Sequence, residues 1–155
     1  MIRDAARDFA QTELLPGVIE RDEKQEFPAE QIKKLGELGF MGMMVLPENG
    51  GSGMDTLSYV LAIEELSKID ASASVVVSVN NSLVCWGLEA FGSPEQKAKY
   101  LPRLASGEII GSFCLSEPEA GSDATSQATT AVDMGDHYLL NGTKNWITNG
   151  GTCEI

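Results

Sequence analysis

The feature that most constrains the fold is a change of periodicity at Gly107. Before it, apolar residues recur at helical spacing. After it, short apolar runs are separated by Gly, Asn and Asp, the punctuation of strands and tight turns. Ile2, Ala6 and Phe9 mark a first helix that Pro16–Gly17 stops. Pro28 opens a second, with a face of Ile32, Leu35 and Leu38, closed by Gly39. Asp55 is placed to cap a third, which carries Leu57, Val60, Leu61, Ile63 and Leu66. The run from Ala71 to Phe91 contains Val75, Val76, Val77 and Val79, whose β-branched side chains suit strands. It is longer than most strands, and we assign it to a buried helix. Ser93, Pro94 and Glu95, followed by Lys97, Tyr100 and Leu101, signal the start of a fifth helix.

Beyond Gly107, residues 109–116 form a short apolar run expected to be a strand, broken by Pro118, Gly121, Ser122 and Asp123. Residues 128–134 and 137–141 read as short strands joined at Gly135–Asp136. Asn141–Gly142 is the strongest hairpin signal, because both residues tolerate positive φ in a type I′ turn. Residues 144–148 are expected to form the next strand, and a second Asn–Gly pair follows at 149–150. The expected fold class is therefore α+β. An N-terminal all-helical domain over 1–108 is followed, over 109–155, by the first strands of an antiparallel β domain. So few strands cannot close a β core, so that domain is expected to be incomplete and the chain to be cut at Ile155. Met1 opens directly onto a helical pattern with no cap, so it is not expected to be the natural start.

Composition narrows the function classes. The net charge of −12, with 11 scattered basic residues and no basic stripe, argues against a nucleic-acid partner. The longest apolar stretch, 75–91, is interrupted by Ser78, Asn80, Asn81 and Ser82, so no membrane span is expected and the chain is expected to be soluble. Cys85, Cys114 and Cys153 are odd in number, far apart and set among apolar residues. They read as reduced, buried thiols of an intracellular protein. A single histidine, His137, leaves no Cys/His metal spacing and little scope for a histidine-dependent triad. The N-terminus shows no signal-peptide pattern.

Four segments could carry chemistry. The glycines of Pro-Glu-Asn-Gly-Gly-Ser-Gly at 47–53 could cradle a phosphate. The segment lacks the Lys-Ser/Thr ending of a P-loop, which favours a plain turn between helices. In 113–123, a strand would deliver Phe113 and Ser116, and Gly121 would leave Ser122 and Asp123 exposed, either to a ligand or as an ordinary helix cap. In 141–150, Trp146 and Thr148 are two apart and would face one side of a strand. An aromatic plane beside a hydroxyl suits a flat heteroaromatic ring, although a core Trp beside a strand Thr is the commoner outcome. The polar residues of 78–83 need partners inside their helix; bonds to neighbouring helices are favoured over a ligand channel.

Taken together, Pro-Glu-x-Gly-Gly-x-Gly at 47–53, Leu-Ser-Glu-Pro-Glu-Ala-Gly-Ser-Asp at 115–123 and Asn-Gly-Thr-Lys-x-Trp-Ile-Thr-Asn at 141–149 resemble the acyl-CoA dehydrogenases. The stretch 91–97 and the Leu101–Pro102 to Gly107–Glu108 region fit as well, and Ser-Val-Asn-Asn-Ser-Leu at 78–83 looks most like the short-chain (butyryl-type) members. The resemblance implies a helical, β and helical three-part fold, of which the C-terminal helical domain is absent here. It implies an FAD-dependent enzyme that removes two hydrogens from the α and β carbons of an acyl-CoA. A glutamate takes the α proton, the flavin takes the β hydride, and the electrons pass to an electron-transferring flavoprotein. Such enzymes work in the bacterial cytoplasm or the mitochondrial matrix, commonly as homotetramers.

By the same resemblance, Phe113, Leu115 and Ser116 would border the flavin, with Ser116 at its pyrimidine end. Trp146 and Ile147 would pack near the ring, Thr148 would donate a hydrogen bond towards it, and Ser122 would meet the acyl-CoA. Ser116 departs mildly from the Thr of many relatives. No residue matches the catalytic glutamate, so this stretch alone is expected to be inactive. Acyl-CoA oxidases share the plan, and a non-catalytic helical–β binding module is the remaining alternative.

Overall fold

The computed structural model describes residues 1–155. Helix α1 (Ile2–Phe9) runs into a π-helical turn at Ala10–Leu14, and α2 (Val18–Lys24), α3 (Ala29–Glu37) and α4 (Thr56–Ser67) follow. Next come α5 (Ala71–Val79), a second π-helical turn at Asn80–Cys85, and α6 (Trp86–Phe91), which together form one 21-residue rod. Helix α7 (Pro94–Ala105) completes the helical part, and β1 (Thr130–Asp133) pairs antiparallel with β2 (Tyr138–Asn141). The α+β class is as expected, and α2 is an additional helix that the sequence pattern does not signal, since it buries no residue of its own.

The helix starts follow local chemistry. Asp55 accepts from the amide of Ser58 at 2.8 Å, and Asp70 from that of Ala73 at 2.9 Å. Ser93 and Gln96 close a reciprocal capping box over α7, with Pro94 at its first position. Gly39, with φ at +81°, ends the chain's excursion from α3 as the left-handed residue a helix exit favours.

One core gathers Ala6, Phe9, Leu14, Ile32, Leu35, Phe40, Tyr59, Leu66 and Val77; a second gathers Val45, Val84, Cys85, Leu101, Leu104 and Ile109. Two apolar expectations need correction. Leu38 is exposed, because it sits at the end of α3 where the chain turns outward. In α4 the buried face runs through Tyr59, Ala62, Glu65 and Leu66, leaving Leu57 and Val60 exposed. The helix is apolar nearly all round, so periodicity could not choose its inner face.

The buried member of that face, Glu65, meets Arg3 at 2.9 Å, Arg7 at 3.0 Å and Lys68 at 3.0 Å. It joins α1 to α4. The hydrogen bonds from Arg7 above all, then from Arg3 and Lys68, hold its carboxyl well below the usual 4.5. A depressed carboxylate pKa stabilises the fold above the ordinary value, and that stability is lost as pH falls from 4.5 through the depressed one. In the full-length protein, Glu65→Gln is expected to lower the melting temperature by several degrees at pH 7 and to flatten its fall below pH 4.5. Superimposable melting-temperature profiles for variant and wild type from about pH 7 to about pH 3, which takes in the start of the loss below 4.5, would refute this.

The rod Ala71–Phe91 amends the expectation about membrane length. It is long and apolar enough, by length and composition, to cross a membrane. In this fold it is the central helix, with Asn80 and Asn81 fully buried. The Asn80 amide donates to the carbonyls of Met41 at 2.9 Å and Leu104 at 3.1 Å. Asn81 donates to the carbonyls of Phe40 at 2.9 Å and Val77 at 3.0 Å. The polar residues of 78–83 therefore serve the packing of neighbouring segments, as favoured from sequence. Cys85 is buried and its thiol is pushed up to about 12, first by desolvation and then by Glu89, which makes it inert. Cys114 is exposed and Cys153 half-buried, contrary to the expectation of three buried thiols; all three are free.

Past α7 the chain is mostly extended and irregular. Residues 109–116 are not a strand, and neither are 144–148. The hairpin turns at Gly135, with φ at +97°, as expected from Gly135–Asp136. Asn141–Gly142 ends β2 and makes no type I′ turn. Gly142 is needed for a different reason: a Cβ there would lie 2.1 Å from Thr129 Oγ1. All residues of β1 and β2 are exposed, so the pair has no buried face of its own.

Candidate functional site

Residues 110–117 and 144–155 lie side by side and are stitched along their length. Ser112 Oγ donates to the Thr148 carbonyl at 2.8 Å, and the Asn149 side chain donates to the Gly111 carbonyl at 3.0 Å. The Asn145 amide donates to the Ser116 carbonyl at 2.9 Å, and the Ser112 amide to the Ile155 carbonyl at 2.8 Å. Phe113, Leu115 and Ser116 are thereby brought next to Trp146, Ile147 and Thr148, although some 30 residues separate them in sequence. Ser122 is not tied to this pair. It sits exposed in a bend, and no hydrogen bond within the chain engages its hydroxyl.

The backbone of the second segment differs from the expected strand. Trp146 has φ at +59° and Asn149 at +66°, both in the left-handed region that bulky residues avoid. Trp146 and Thr148 therefore do not share a strand face. They are neighbours through a turned backbone, and Trp146 is 95% exposed. A bulky side chain held in a strained conformation and turned outward is a common mark of a ligand site.

Thr148 and Asn149 also border an open cavity of about 940 Å³, whose opposite walls are Phe27, Val75, Val76 and Arg21 with Asp70. Arg21 and Asp70 pair at 3.1 Å across its polar side. The Gly-rich stretch 47–53 lines no part of this cavity and is no phosphate cradle. Its amides from Asn49 to Met54 donate to carbonyls within the chain, the Gly53 amide to Val45 at 2.8 Å. A Cβ on Gly51 would lie 2.1 Å from the Val45 carbonyl oxygen, so the glycine serves a tight turn between helices.

The centre of the stitching is Glu117, a buried residue that the sequence offers no reason to single out. It accepts from Lys144 Nζ at 2.7 Å, the Ala128 amide at 2.6 Å and the Thr129 amide at 3.2 Å. Lys144 above all, with the donors at 128–129, holds its carboxyl down at about 2. No local signal could have paired Glu117 with Lys144, because each lies inside its own motif. Only their separate membership of 115–123 and 141–149 hints that they matter.

The resemblance implies a flavin here, and the residues can be tested for fit. A flavin requires a flat apolar surface together with donors for its polar edge. The backbone amides of 113–116 and 146–149 donate to no acceptor within the chain. The hydroxyls of Ser116 and Thr148 likewise make no hydrogen bond within the chain, and the buried Asn149 Oδ1 has no partner. Phe113 and Leu115 are exposed beside them. Unspent donors flanked by exposed apolar side chains fit such a group.

Comparison with known proteins places these features in context. Sequence models of the acyl-CoA dehydrogenase N-terminal domain and middle domain match residues 1–108 and 112–155. The short-chain-specific acyl-CoA dehydrogenase of Clostridium acetobutylicum is 46% identical over 154 residues, which cover 99% of this chain and 41% of that one. A glutaryl-CoA dehydrogenase from Mycobacterium smegmatis in complex with FADH2 superimposes with a TM-score of 0.95 at 40% identity, over 99% of this chain and 40% of that one. A chain in a structure of the electron transferring flavoprotein of Acidaminococcus fermentans superimposes with a TM-score of 0.95 at 48% identity, covering 99% of this chain and 40% of that one. The chain thus spans about two fifths of the length of the relatives it matches.

Proposed function

The chain belongs to the acyl-CoA dehydrogenase family, and from that premise we propose that the whole protein is an FAD-dependent enzyme that desaturates short-chain acyl-CoA thioesters. We assign 1–108 to the helical domain and 109–155 to the opening of the β domain. The observation that carries the flavin assignment is the unspent donor array of 113–116 and 146–149, bordered by Phe113, Leu115 and Trp146.

A flavin held by these residues would supply the acceptor for the hydride that leaves the β carbon of the acyl group. The protein's part is to orient the reactants and tune the ring. Ser116 holds the polar edge with its hydroxyl and the neighbouring amides. Thr148 presents a hydroxyl, free of protein partners, towards the ring where negative charge develops. Trp146 and Ile147 would pack near the ring, Trp146 on the side from which electrons leave towards a protein acceptor. That acceptor is proposed to be an electron-transferring flavoprotein, in keeping with the structural relative from Acidaminococcus fermentans. Ser122, exposed in its bend, is assigned to the acyl-CoA side. The base that removes the α proton is assigned to the part of the protein beyond these residues, and a homotetramer is the expected assembly.

The test is a visible absorption spectrum of the purified full-length protein, before and after anaerobic addition of butyryl-CoA. A flavin band that bleaches with substrate is the expected result. A protein that retains no flavin after incubation with FAD overturns the reading. Rapid reoxidation of the reduced flavin by oxygen would replace a dehydrogenase with an oxidase.

A further inference from the structure

We propose that Glu117 and Lys144 form a positioning pair that holds the two flavin-bordering segments in register and leaves their amides free for the cofactor. The inference rests on the flavin reading above and extends it to two residues outside the set assigned to the cofactor.

The geometry shows three pieces of chain meeting at one point. Glu117, 5% exposed at its side chain, takes hydrogen bonds from Lys144 Nζ at 2.7 Å and from the Ala128 and Thr129 amides at 2.6 and 3.2 Å. Lys144 Nζ donates a second bond, to the Leu115 carbonyl at 3.1 Å. Gln127 Nε2 donates to the same carbonyl at 2.6 Å. One residue further along each segment, the Asn145 amide binds the Ser116 carbonyl at 2.9 Å. The carbonyls of Leu115 and Ser116 are thus engaged while the amides of 113–116 are left unspent. In a planar trans peptide a carbonyl and the amide that follows it point opposite ways, so anchoring the Leu115 carbonyl fixes where the Ser116 amide points.

The chemistry of the pair suits this task. A buried carboxylate is tolerated only when its oxygens are filled, and here Lys144 and two amides fill them. Neither segment has a sheet or helix of its own to impose rigidity. Without the pair, 115–117, 127–129 and 144–145 lose their common anchor, and the donors that meet the cofactor become mobile. Supporting groups of this kind set the precision of a site without entering it.

The experiment uses the full-length protein stripped of flavin and titrated with FAD. It compares wild type, Glu117→Gln, Lys144→Met and Lys144→Arg for FAD dissociation constant and for the visible circular dichroism of the bound flavin. Expected are a rise of about 10–100-fold in the dissociation constant for Glu117→Gln and Lys144→Met, with an altered flavin dichroism band. Lys144→Arg, which keeps the charge and the donors, is expected to recover most of the affinity and the native band. The inference is overturned if either of the first two variants binds FAD within about threefold of wild type with an unchanged band. Should Glu117→Gln fail to fold, Lys144→Met against Lys144→Arg decides alone. A wild type that binds no FAD brings down the flavin reading itself, an outcome separate from a wild type and variants that bind alike.

Discussion

Replacing Asn80 with alanine in the full-length protein is expected to lower stability by about 3–5 kcal/mol, more than any surface change in the chain. The side chain is fully buried, and its hydrogen bonds reach three separate segments. Its Nδ2 donates to the Met41 and Leu104 carbonyls, and its Oδ1 accepts from the Gly111 amide at 3.2 Å. Truncation strips the Gly111 amide and the Met41 carbonyl of their Asn80 partner, each at a cost of roughly 1–3 kcal/mol, while the Leu104 carbonyl keeps the Gly107 amide at 3.1 Å. The melting temperature is expected to drop by roughly 10 °C. Asn80→Asp is no rescue, because it retains the acceptor but loses both donors and buries a charge. A fall of less than about 3 °C for the alanine variant would show that the amide is dispensable. The same change reaches the candidate site. Gly111 is held by Asn80 through its amide and by Asn149 through its carbonyl, so the variant also loosens the start of 111–117.

Thr148→Val in the full-length protein is expected to slow reduction of the flavin by butyryl-CoA about 100-fold while leaving FAD affinity within a few-fold of wild type. Valine preserves the shape and removes only the hydroxyl. That hydroxyl makes no bond within the chain, so its loss unpairs no protein group and should not disturb the fold. The effect would fall on the transition state, where a donor aimed at developing charge contributes most. Stopped-flow absorbance under anaerobic conditions reads the rate directly, and Thr148→Ser should recover most of it. A Thr148→Val rate within threefold of wild type would remove Thr148 from the chemistry and leave it as a spacer beside the cavity.

Much of the helical part was legible in the residues. Asp55, Ser93 and Pro94 announce helix starts because capping is a contact between residues two or three apart. The hairpin of β1 and β2 was legible for the same reason, since Gly135 supplies the positive φ that its turn requires. A strong local signal could still be overruled by a contact from elsewhere in the chain. Asn141–Gly142 suits a tight turn, but Gly142 answers instead to the nearness of Thr129. The valines of α5 could not choose strand or helix by propensity; the length of the run decided it.

The sequence by itself determined the helical segments, most of their caps, the β1–β2 hairpin and the motifs that mark the family, because each is written in residues close along the chain. Only the tertiary structure decided that 110–117 and 144–155 lie together, that Trp146 and Asn149 adopt left-handed backbones, and that Glu117 finds Lys144 while Asn80 finds Gly111. These are contacts across 27 and 31 residues. A buried carboxylate or amide must find partners somewhere, but its own neighbours in sequence do not say where. That choice is made by the packing that brings distant backbone groups within reach.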